Sequence, residues 1–278
     1  MTSTDIADMV MASLTEDVAA GDITAELVGA DVQATARLTV RESAVICGID
    51  WFNTVYQQLD HPVTIDWLVA DGDRVEPNQL IATLTGQART LLTGERCALN
   101  WLQTLSATAT RTAGFVAMVS GTAAQILDTR KTIPGLRLAQ KYAVKTGGGL
   151  NHRFGLYDAF LIKENHIMSS ASIADVIQRA RALYPDRSVE IEVEDLAQLQ
   201  QALAASADII MCDNFSIKSL KAAVELTQGQ AKLEASGNVD ETTLKQIAAT
   251  GVDYISIGGL TKHIEAIDLS MRFTMERA

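Results

Sequence analysis

Between residues 128 and 163 the cationic side chains Arg130, Lys131, Arg137, Lys141, Lys145, Arg153 and Lys163 meet only Asp128 and Asp158, a local excess of +5 in a chain whose formal net charge is −11. Arg137, Lys141 and Lys145 recur every four residues and are expected to form a solvated helix face. Arg130, Lys131 and Lys163 instead end apolar runs, and Arg153 sits beside His152 in the loop "NHRFGLYD", so these groups can converge. Forked guanidiniums and point-charge ammoniums together suit a ligand with several carboxylates or phosphates.

Glu192 and Asp213 close two later apolar runs. Such a pair of hard oxygen donors holds Mg²⁺ or hydrogen-bonds ribose hydroxyls; the plainer alternative is a pair of counter-ions for Lys131 and Lys163. Two glycine segments, "ASGN" (235–238) and "IGGL" (257–260), fall where the last loops of a barrel bind phosphate through backbone N–H groups, although "SGN" alone is a common turn. "GGG" at 147–149 reads as a helix C-cap and turn. Of the four histidines, His152 and His263 lie in loops of interest, His166 follows an apolar run and His61 occupies a turn. There is no Walker A loop, no G-x-G-x-x-G after a strand, no Ser-His-Asp spacing and no histidine cluster with metal spacing. Covalent nucleophilic catalysis therefore has no agent.

The elements that must carry these groups are legible as alternation. "AAQILD", "AFLIK", "VEIEVE", "DIIMCD", "AKLEAS" and "YISIGG" read as β-strands, separated by helix-patterned stretches such as "PGLRLAQKYAVKTG" and "SIADVIQRARALYP", with Pro134 in a first helical turn and Pro185 after a last one. Repeated βα units imply a parallel sheet, either a whole or partial barrel or an open doubly wound sheet. Charged or small residues stand at the C-terminal end of every strand candidate: Arg130 and Lys131, Lys163, Glu192 and Glu194, Asp213, Ser236 and Gly237, then Gly258 and Gly259. In parallel barrels that end carries the active site. Residues before about 110 read differently. "VQATARLTVRE" alternates as a strand, "IDWFNTVYQQL" is helical, and "VTIDWLVADGDRVEPNQLIATLTG" gives strands around a D-G-D turn, an α+β pattern followed by a long helix from near "TGERC". The first residues read as an amphipathic helix capped by Ser3 or Thr4, with Ile6, Met9, Val10 and Leu14 on one face.

At 278 residues, with 47% hydrophobic and 21% charged residues, the chain is expected to be ordered and to form one large barrel or two domains. Its acidity argues against nucleic acid or an anionic membrane as partner. Cys47, Cys97 and Cys212 are too widely spaced for a disulfide framework or zinc site, no basic leader opens the chain, and no apolar run approaches the ~20 residues of a membrane span, so a cytoplasmic protein is expected.

"LDTRKTIPGLRLAQKYAVKTGGGLNHRFGLYDAFLIKENHI", "EIEVEDL", "IIMCDNF", "EASGNV" and "GVDYISIGGLTKHIEAIDLSMRF" resemble the quinolinate phosphoribosyltransferase family, across nearly the whole chain. The resemblance implies an N-terminal α+β sandwich domain, residues 1–110 rejoined by 266–278, and an incomplete parallel α/β barrel of six or seven strands over 111–265. It implies a homodimer or higher homo-oligomer in which each sandwich covers the partner's barrel mouth. The implied activity is phosphoribosyl transfer from phosphoribosyl pyrophosphate to quinolinate, giving nicotinate mononucleotide, pyrophosphate and CO₂ in NAD biosynthesis, with Mg²⁺ as cofactor. By matched motif, Arg96 reaches the neighbouring subunit's site, and Arg130, Lys131, His152, Arg153 and Lys163 form the quinolinate pocket, with the two lysines also placed toward phosphoribosyl pyrophosphate. Glu192 and Asp213 serve ribose and Mg²⁺, directly or through water. Ser236, Gly237 and Asn238 with Ile257, Gly258 and Gly259 match the 5′-phosphate loops, and His263 a histidine near the phosphate. Competing readings are a relative acting on nicotinate, a relative associated with molybdenum transport, or a non-catalytic dianion sensor. The first two need fewer cations at the acceptor; the sensor has no need of Glu192, Asp213 and both phosphate loops.

Overall fold

The structure, a computed structural model, describes residues 2–275. Residues 276–278, the end of the segment expected to rejoin the first domain, lie outside the described residues. In chain order the elements are α1 (Ser3–Val18), β1 (Gln33–Val40), β2 (Ala44–Val45), α2 (Ile49–Gln57), β3 (Val63–Trp67), β4 (Arg74–Val75), β5 (Leu80–Gln87) and α3 (Ala88–Met118). There follow β6 (Gln125–Leu127), α4 (Arg137–Thr146), β7 (Phe160–Ile162), α5 (Glu164–Met168), α6 (Ile173–Leu183), β8 (Val189–Val193), α7 (Leu196–Ala204) and β9 (Ile209–Asp213). The chain closes with α8 (Ile217–Thr227), β10 (Lys232–Ser236), α9 (Leu244–Ala248), β11 (Tyr254–Ser256), α10 (Gly259–Lys262) and β12 (Leu269–Met275). Two compact units result: Met1–Ala113 with Ile133–Gly148 and His263–Ala278, and Gly114–Thr132 with Gly149–Lys262.

The first unit is built on an antiparallel sheet in the order β12-β1-β5-β3. In β1 the alternation of "QATARLTV" puts Ala34, Ala36, Leu38 and Val40 in the core, and the register pairs Leu38 with Ala82 of β5 and Met271 of β12. Burying side chains of the size of Leu38 and Val40 contributes about 1.5–3 kcal/mol each. Trp51 and Phe52 of α2 are fully buried, and the Trp51 ring lies 6.2 Å from that of Trp101 and 5.3 Å from that of Tyr142. Asp71 satisfies the start of α2, accepting the N–H groups of Gly48 (3.0 Å) and Ile49 (3.1 Å) and the Tyr142 hydroxyl (2.8 Å).

Three expectations are corrected here. The cap of α1 is Thr2 rather than Ser3 or Thr4: its Oγ1 accepts the Asp5 N–H while Asp5 accepts the Thr2 N–H, a reciprocal box that starts the helix one residue earlier. Helix α4 begins at Arg137, because residues 133–136 form a turn in which Leu136 N–H reaches the Ile133 carbonyl and Gln140 Oε1 accepts the Ile133 N–H (2.8 Å). Lys141 is not on a solvated face. It is fully buried together with Ala139, Gln140, Ala143 and Val144, so α4 is enclosed on most sides and the four-residue spacing of its cations does not mark its outer surface. Ala139 and Ala143 join the core of the first unit, and this is why Ile133–Gly148, read from sequence as a barrel crossover, clusters there.

The second unit holds a six-stranded parallel sheet in the order β6-β11-β10-β9-β8-β7. All six strand candidates are present. From β7 to β11 each strand pairs with the next in sequence, and β11 then pairs with β6, so the order runs round without the reversal that defines a doubly wound sheet. β6 and β7 stand at the two ends of the ladder, which makes this an incomplete barrel. Its crossover helices start where the sequence signals them, with Ser172, Asp195 and Ser216 capping α6, α7 and α8. No helix among the described residues is long and apolar enough to cross a membrane, and Cys47, Cys97 and Cys212 are free and buried.

Candidate active site

Period-two alternation determines what enters the barrel interior. In β8, Val189, Ile191 and Val193 point one way, and Glu190 and Glu192 the other; the interior set continues with Leu161 and Lys163 at β7, Met211 and Asp213 in β9, Glu234 and Ser236 in β10, and Ser256 in β11. Leu161, Lys163, Glu192, Met211, Asp213, Glu234, Ser236 and Ser256 line a cleft of about 330 Å³, joined by Arg130, Lys131, His152 and Arg153 from the loops at the strand C-termini. That is the lower end of the size range of small-ligand sites, roughly 300–1,000 Å³.

The backbone is anchored at each cation. Lys131 N–H donates to Thr129 Oγ1 (3.0 Å) and its carbonyl accepts from Thr261 Oγ1 (2.8 Å). Gly258 leaves room for the side chain: a Cβ there would lie 2.9 Å from Lys131 Cδ. Asp128, fully buried at the end of β6, accepts the His152 N–H (2.9 Å) and Asn151 Nδ2 (2.6 Å), which ties the 151–153 loop to the sheet. His152 Nε2 lies 2.7 Å from Glu190 Oε2 and 3.7 Å from Glu234 Oε2. Burial and the neighbouring Arg130 draw the Arg153 guanidinium below its usual value, while Glu190 and Asp158 oppose this. Lys163 has its N–H fixed by His166 Nδ1 (2.9 Å), and its ammonium pairs with Glu192.

On the acidic side, burial and then the Glu192 charge push the Asp213 carboxyl up, against a hydrogen bond from Asn214 (2.7 Å) and the charges of Lys163 and Lys131. The 236–238 loop is locked to β9: Asn214 N–H donates to the Ser236 carbonyl (2.9 Å) and Asn238 Nδ2 to Asn214 Oδ1 (3.2 Å). Gly237 has φ +95°, and a Cβ there would run into the Asn214 side chain, so both space and backbone conformation exclude larger residues. Ile257 N–H bonds the Leu127 carbonyl (3.0 Å), placing 257–259 beside the strand that delivers Arg130 and Lys131.

Of the residues singled out from sequence, Arg130, Lys131, His152, Arg153, Lys163, Glu192, Asp213 and Ser236 line this one cleft. Gly237, Asn238, Ile257, Gly258 and Gly259 occupy its flanking loops. Arg96, exposed on α3, and His263, exposed after α10, belong to the first unit and do not line the cleft. Glu190 and Glu234 were passed over. The signal for them was available: in "VEIEVE" and "KLEAS" each lies two residues before a strand-end residue and so shares its face. Cations that converge from β6, β7 and the 151–153 loop, beside a carboxylate pair and two glycine loops, can hold a polyanionic ligand and a second phosphorylated one together.

Two family models match in succession, the N-terminal domain of quinolinate phosphoribosyl transferase over residues 22–106 and its C-terminal domain over residues 108–272. The chain belongs to the quinolinate phosphoribosyl transferase family. Among its relatives in that family, the probable nicotinate-nucleotide pyrophosphorylase [carboxylating] of Bacillus subtilis is 39% identical over 261 residues, covering 94% of this chain and 90% of the relative. The nicotinate-nucleotide pyrophosphorylase [carboxylating] of Mycobacterium leprae is 39% identical and covers 95% of each chain. The solved nicotinate-nucleotide pyrophosphorylase of Francisella tularensis superposes with a TM-score of 0.96 at 49% identity, over 99% of this chain and 98% of that one. A human nicotinic acid phosphoribosyltransferase, 12% identical with a TM-score of 0.59 over 88% of this chain and 70% of that one, shares the fold alone.

Proposed function

We propose that the cleft transfers the phosphoribosyl group of phosphoribosyl pyrophosphate to quinolinate with loss of CO₂, producing nicotinate mononucleotide and pyrophosphate for NAD biosynthesis. The observation that carries this reading is the convergence of Arg130, Lys131, Arg153 and Lys163 in one cleft together with Glu192 and Asp213. Quinolinate brings two adjacent carboxylates and phosphoribosyl pyrophosphate brings a 5′-phosphate and a pyrophosphate, so a shared site needs several cations. Arg130, Arg153 and His152 bind the acceptor, and Lys131 and Lys163 stand between the two substrates. The loops Ser236 to Asn238 and Ile257 to Gly259 hold the 5′-phosphate through backbone N–H groups other than that of Ile257, which the Leu127 carbonyl already takes.

As pyrophosphate leaves C1 of the ribose, the ammonium of Lys131 or Lys163 neutralises its developing charge, and the pyridine nitrogen attacks from the opposite face. Ribosylation makes that nitrogen positive, and its charge stabilises the carbanion left when the C2 carboxylate departs. The residues supply orientation and electrostatic preorganisation, and no protein nucleophile is required. Glu192 and Asp213 fit Mg²⁺: they are hard oxygen donors from adjacent strands, and the Asp213 carboxyl, pushed up by burial and then by the Glu192 charge, would be held ionised by a dication. Bound there directly or through water, Mg²⁺ would supply charge neutralisation for the pyrophosphate.

The same proposal extends to assembly. In a homodimer, Arg96 of one copy, exposed on α3, would complete the acceptor pocket of the other. Free, buried cysteines suit a reducing compartment, and we place the enzyme in the cytoplasm. The test is incubation of the purified protein with Mg²⁺, phosphoribosyl pyrophosphate and either quinolinate or nicotinate. Mononucleotide and CO₂ are expected from quinolinate alone; turnover of nicotinate with none of quinolinate would refute the assignment.

A further inference from the structure

The chain leaves β9 through Asn214, which stands in the left-handed region at φ +53°. Asparagine tolerates that region better than most residues, so the turn by itself asks nothing of the side chain. The side chain nevertheless has two partners. Nδ2 donates to Asp213 Oδ2 (2.7 Å), and Oδ1 accepts from Asn238 Nδ2 (3.2 Å). These partners orient the amide, since a carboxylate calls for its nitrogen and the Asn238 NH₂ for its oxygen. The main chain of Asn214 reaches the same loop, its N–H donating to the Ser236 carbonyl (2.9 Å). Gly237 makes room for this arrangement: a Cβ there would lie 2.7 Å from Asn214 Cγ and 3.1 Å from Asn214 N. Thr243 Oγ1 in turn donates to the Asn238 carbonyl (3.3 Å). The 236–238 loop is thus held from two elements, and one of the two residues that hold it also holds Asp213.

Asp213 and Ser236 both line the cleft, and the groups that Asn214 joins serve one substrate in the reaction above. Asp213 takes the ribose and the 236–238 loop the 5′-phosphate, and these belong to a single sugar that allows them only a narrow range of separations. A site that holds its own groups at that separation beforehand avoids the cost of ordering them on binding. We propose that Asn214 is a positioning residue that sets the spacing between Asp213 and the 5′-phosphate loop. With Oδ2 taken by Asn214, Oδ1 is the Asp213 oxygen that serves the ligand. The acceptor side is anchored separately, through Asp128 on Asn151 and His152, so loss of Asn214 acts on the phosphoribosyl side alone.

The role given to Asn214 rests on the assignment of Asp213 and the 236–238 loop to the phosphoribosyl group. The probe is nicotinate mononucleotide without metal, which carries ribose and 5′-phosphate, with quinolinate as control, each titrated by calorimetry. Failure of the wild type to bind the mononucleotide would sink the assignment and the inference with it; the variants bear on Asn214 alone. Asn214→Gly removes both side-chain contacts and suits the left-handed backbone, so its melting curve is expected to stay close to wild type. Its affinity for the mononucleotide is expected to fall about tenfold, as for the loss of two modest hydrogen bonds, while its affinity for quinolinate stays within about twofold. Equal losses for the two ligands, as a general loosening would give, or no loss for the mononucleotide, would overturn the proposal. Asn214→Asp keeps the shape, the turn and an acceptor for Asn238 but sets an oxygen against Asp213. It is expected to lose about tenfold or more for the mononucleotide, and wild-type affinity would contradict the hold on Asp213. Asn238, at φ +50°, also accepts glycine. In the double variant of Asn214→Gly and Asn238→Gly, the loss is expected to be at least threefold smaller than the product of the single losses, because both remove one shared contact. A loss equal to that product would show that Asn214 does not act on the loop through Asn238.

Discussion

Gly258→Ala adds one methyl group to the wall against which Lys131 lies, and its consequence can be worked out from the coordinates. The new Cβ would sit 2.9 Å from Lys131 Cδ, 3.8 Å from Lys131 Cβ and 3.6 Å from Thr129 Oγ1. The last two are ordinary contacts, so the strain falls on Cδ, which must recede by roughly 0.6–1 Å to reach the usual carbon–carbon separation of about 3.5–4.0 Å. The backbone cannot follow, because the Lys131 N–H is held by Thr129 and its carbonyl by Thr261. The displacement therefore passes along the side chain and re-aims the ammonium by about the same distance. A misplacement of about 1 Å can cost on the order of a hundredfold in rate, so kcat is expected to fall between tenfold and a hundredfold, about 1.4–2.7 kcal/mol of transition-state stabilisation. Stability should be nearly unchanged. Gly258 does not occupy the left-handed region, and a glycine-to-alanine change in a compatible conformation lowers unfolded-state entropy by an amount worth about 0.4–1 kcal/mol, offsetting the local strain. The assay is steady-state kinetics with each substrate varied in turn, beside a thermal melt. An unchanged kcat in a protein of unchanged Tm would refute the idea that the position of Lys131 limits the reaction.

Arg130→Ala is expected to weaken quinolinate binding by about 1.5–3 kcal/mol, the value of a charged hydrogen-bonding group, with a normal melting curve; a calorimetric titration with unchanged affinity would remove Arg130 from the acceptor pocket. Without Mg²⁺ the Asp213 carboxyl is pushed above its ordinary value of 3.8, by burial and then by the Glu192 charge, so an NMR titration of the metal-free protein should show it protonating at a higher pH than an unperturbed aspartate. A transition at or below that ordinary value would contradict this. Glu234 bears on stability in a direction that follows from linkage: its folded-state carboxyl titrates far above the 4.5 expected when unfolded, so between those values the folded protein holds a proton that the unfolded chain has released. Stability due to this group therefore falls as pH rises through that window. Glu234→Gln removes the effect, and its Tm advantage over wild type should grow from about pH 5 to 8; a pH-independent difference would count against a protonated Glu234.

Most of the barrel was legible because each of its strands is a short apolar run between helical segments, and because the connections of a parallel sheet leave few orders open once the strands are known. The incomplete closure was a different matter. Whether β6 and β7 pair depends on strand tilt and stagger around the whole ring, which no local pattern records. Helix α4 misled for a related reason. The spacing of Arg137, Lys141 and Lys145 is that of a helix surface, but a surface is solvated only if nothing packs on it, and the residues that enclose Lys141 are brought there by tertiary structure.

The candidate site divides along the same line. Groups at strand ends announce themselves, since a charged residue that terminates an apolar run has to point somewhere polar, and Arg130, Lys131, Lys163 and Asp213 were found in this way. Glu190 and Glu234 sit inside strands, where a charge reads either as an error in the strand assignment or as a residue facing the barrel interior. The two cases separate only when neighbouring strands are in register: Glu190 pairs with Ile209 and Glu234 with Met211 across β9, so both carboxyls reach the same interior from either side of that strand. His152 comes from a loop that Asp128 pins to the end of β6, on the far side of the sheet order, and no sequence separation foretells that it will meet them. The site thus combines cations that local sequence displays with two buried glutamates that only the curvature of the sheet brings together. Because a barrel interior tolerates buried charge only where partners are supplied, the place where the strands carry carboxylates is also the place where their loops must carry the histidine and arginines that balance them.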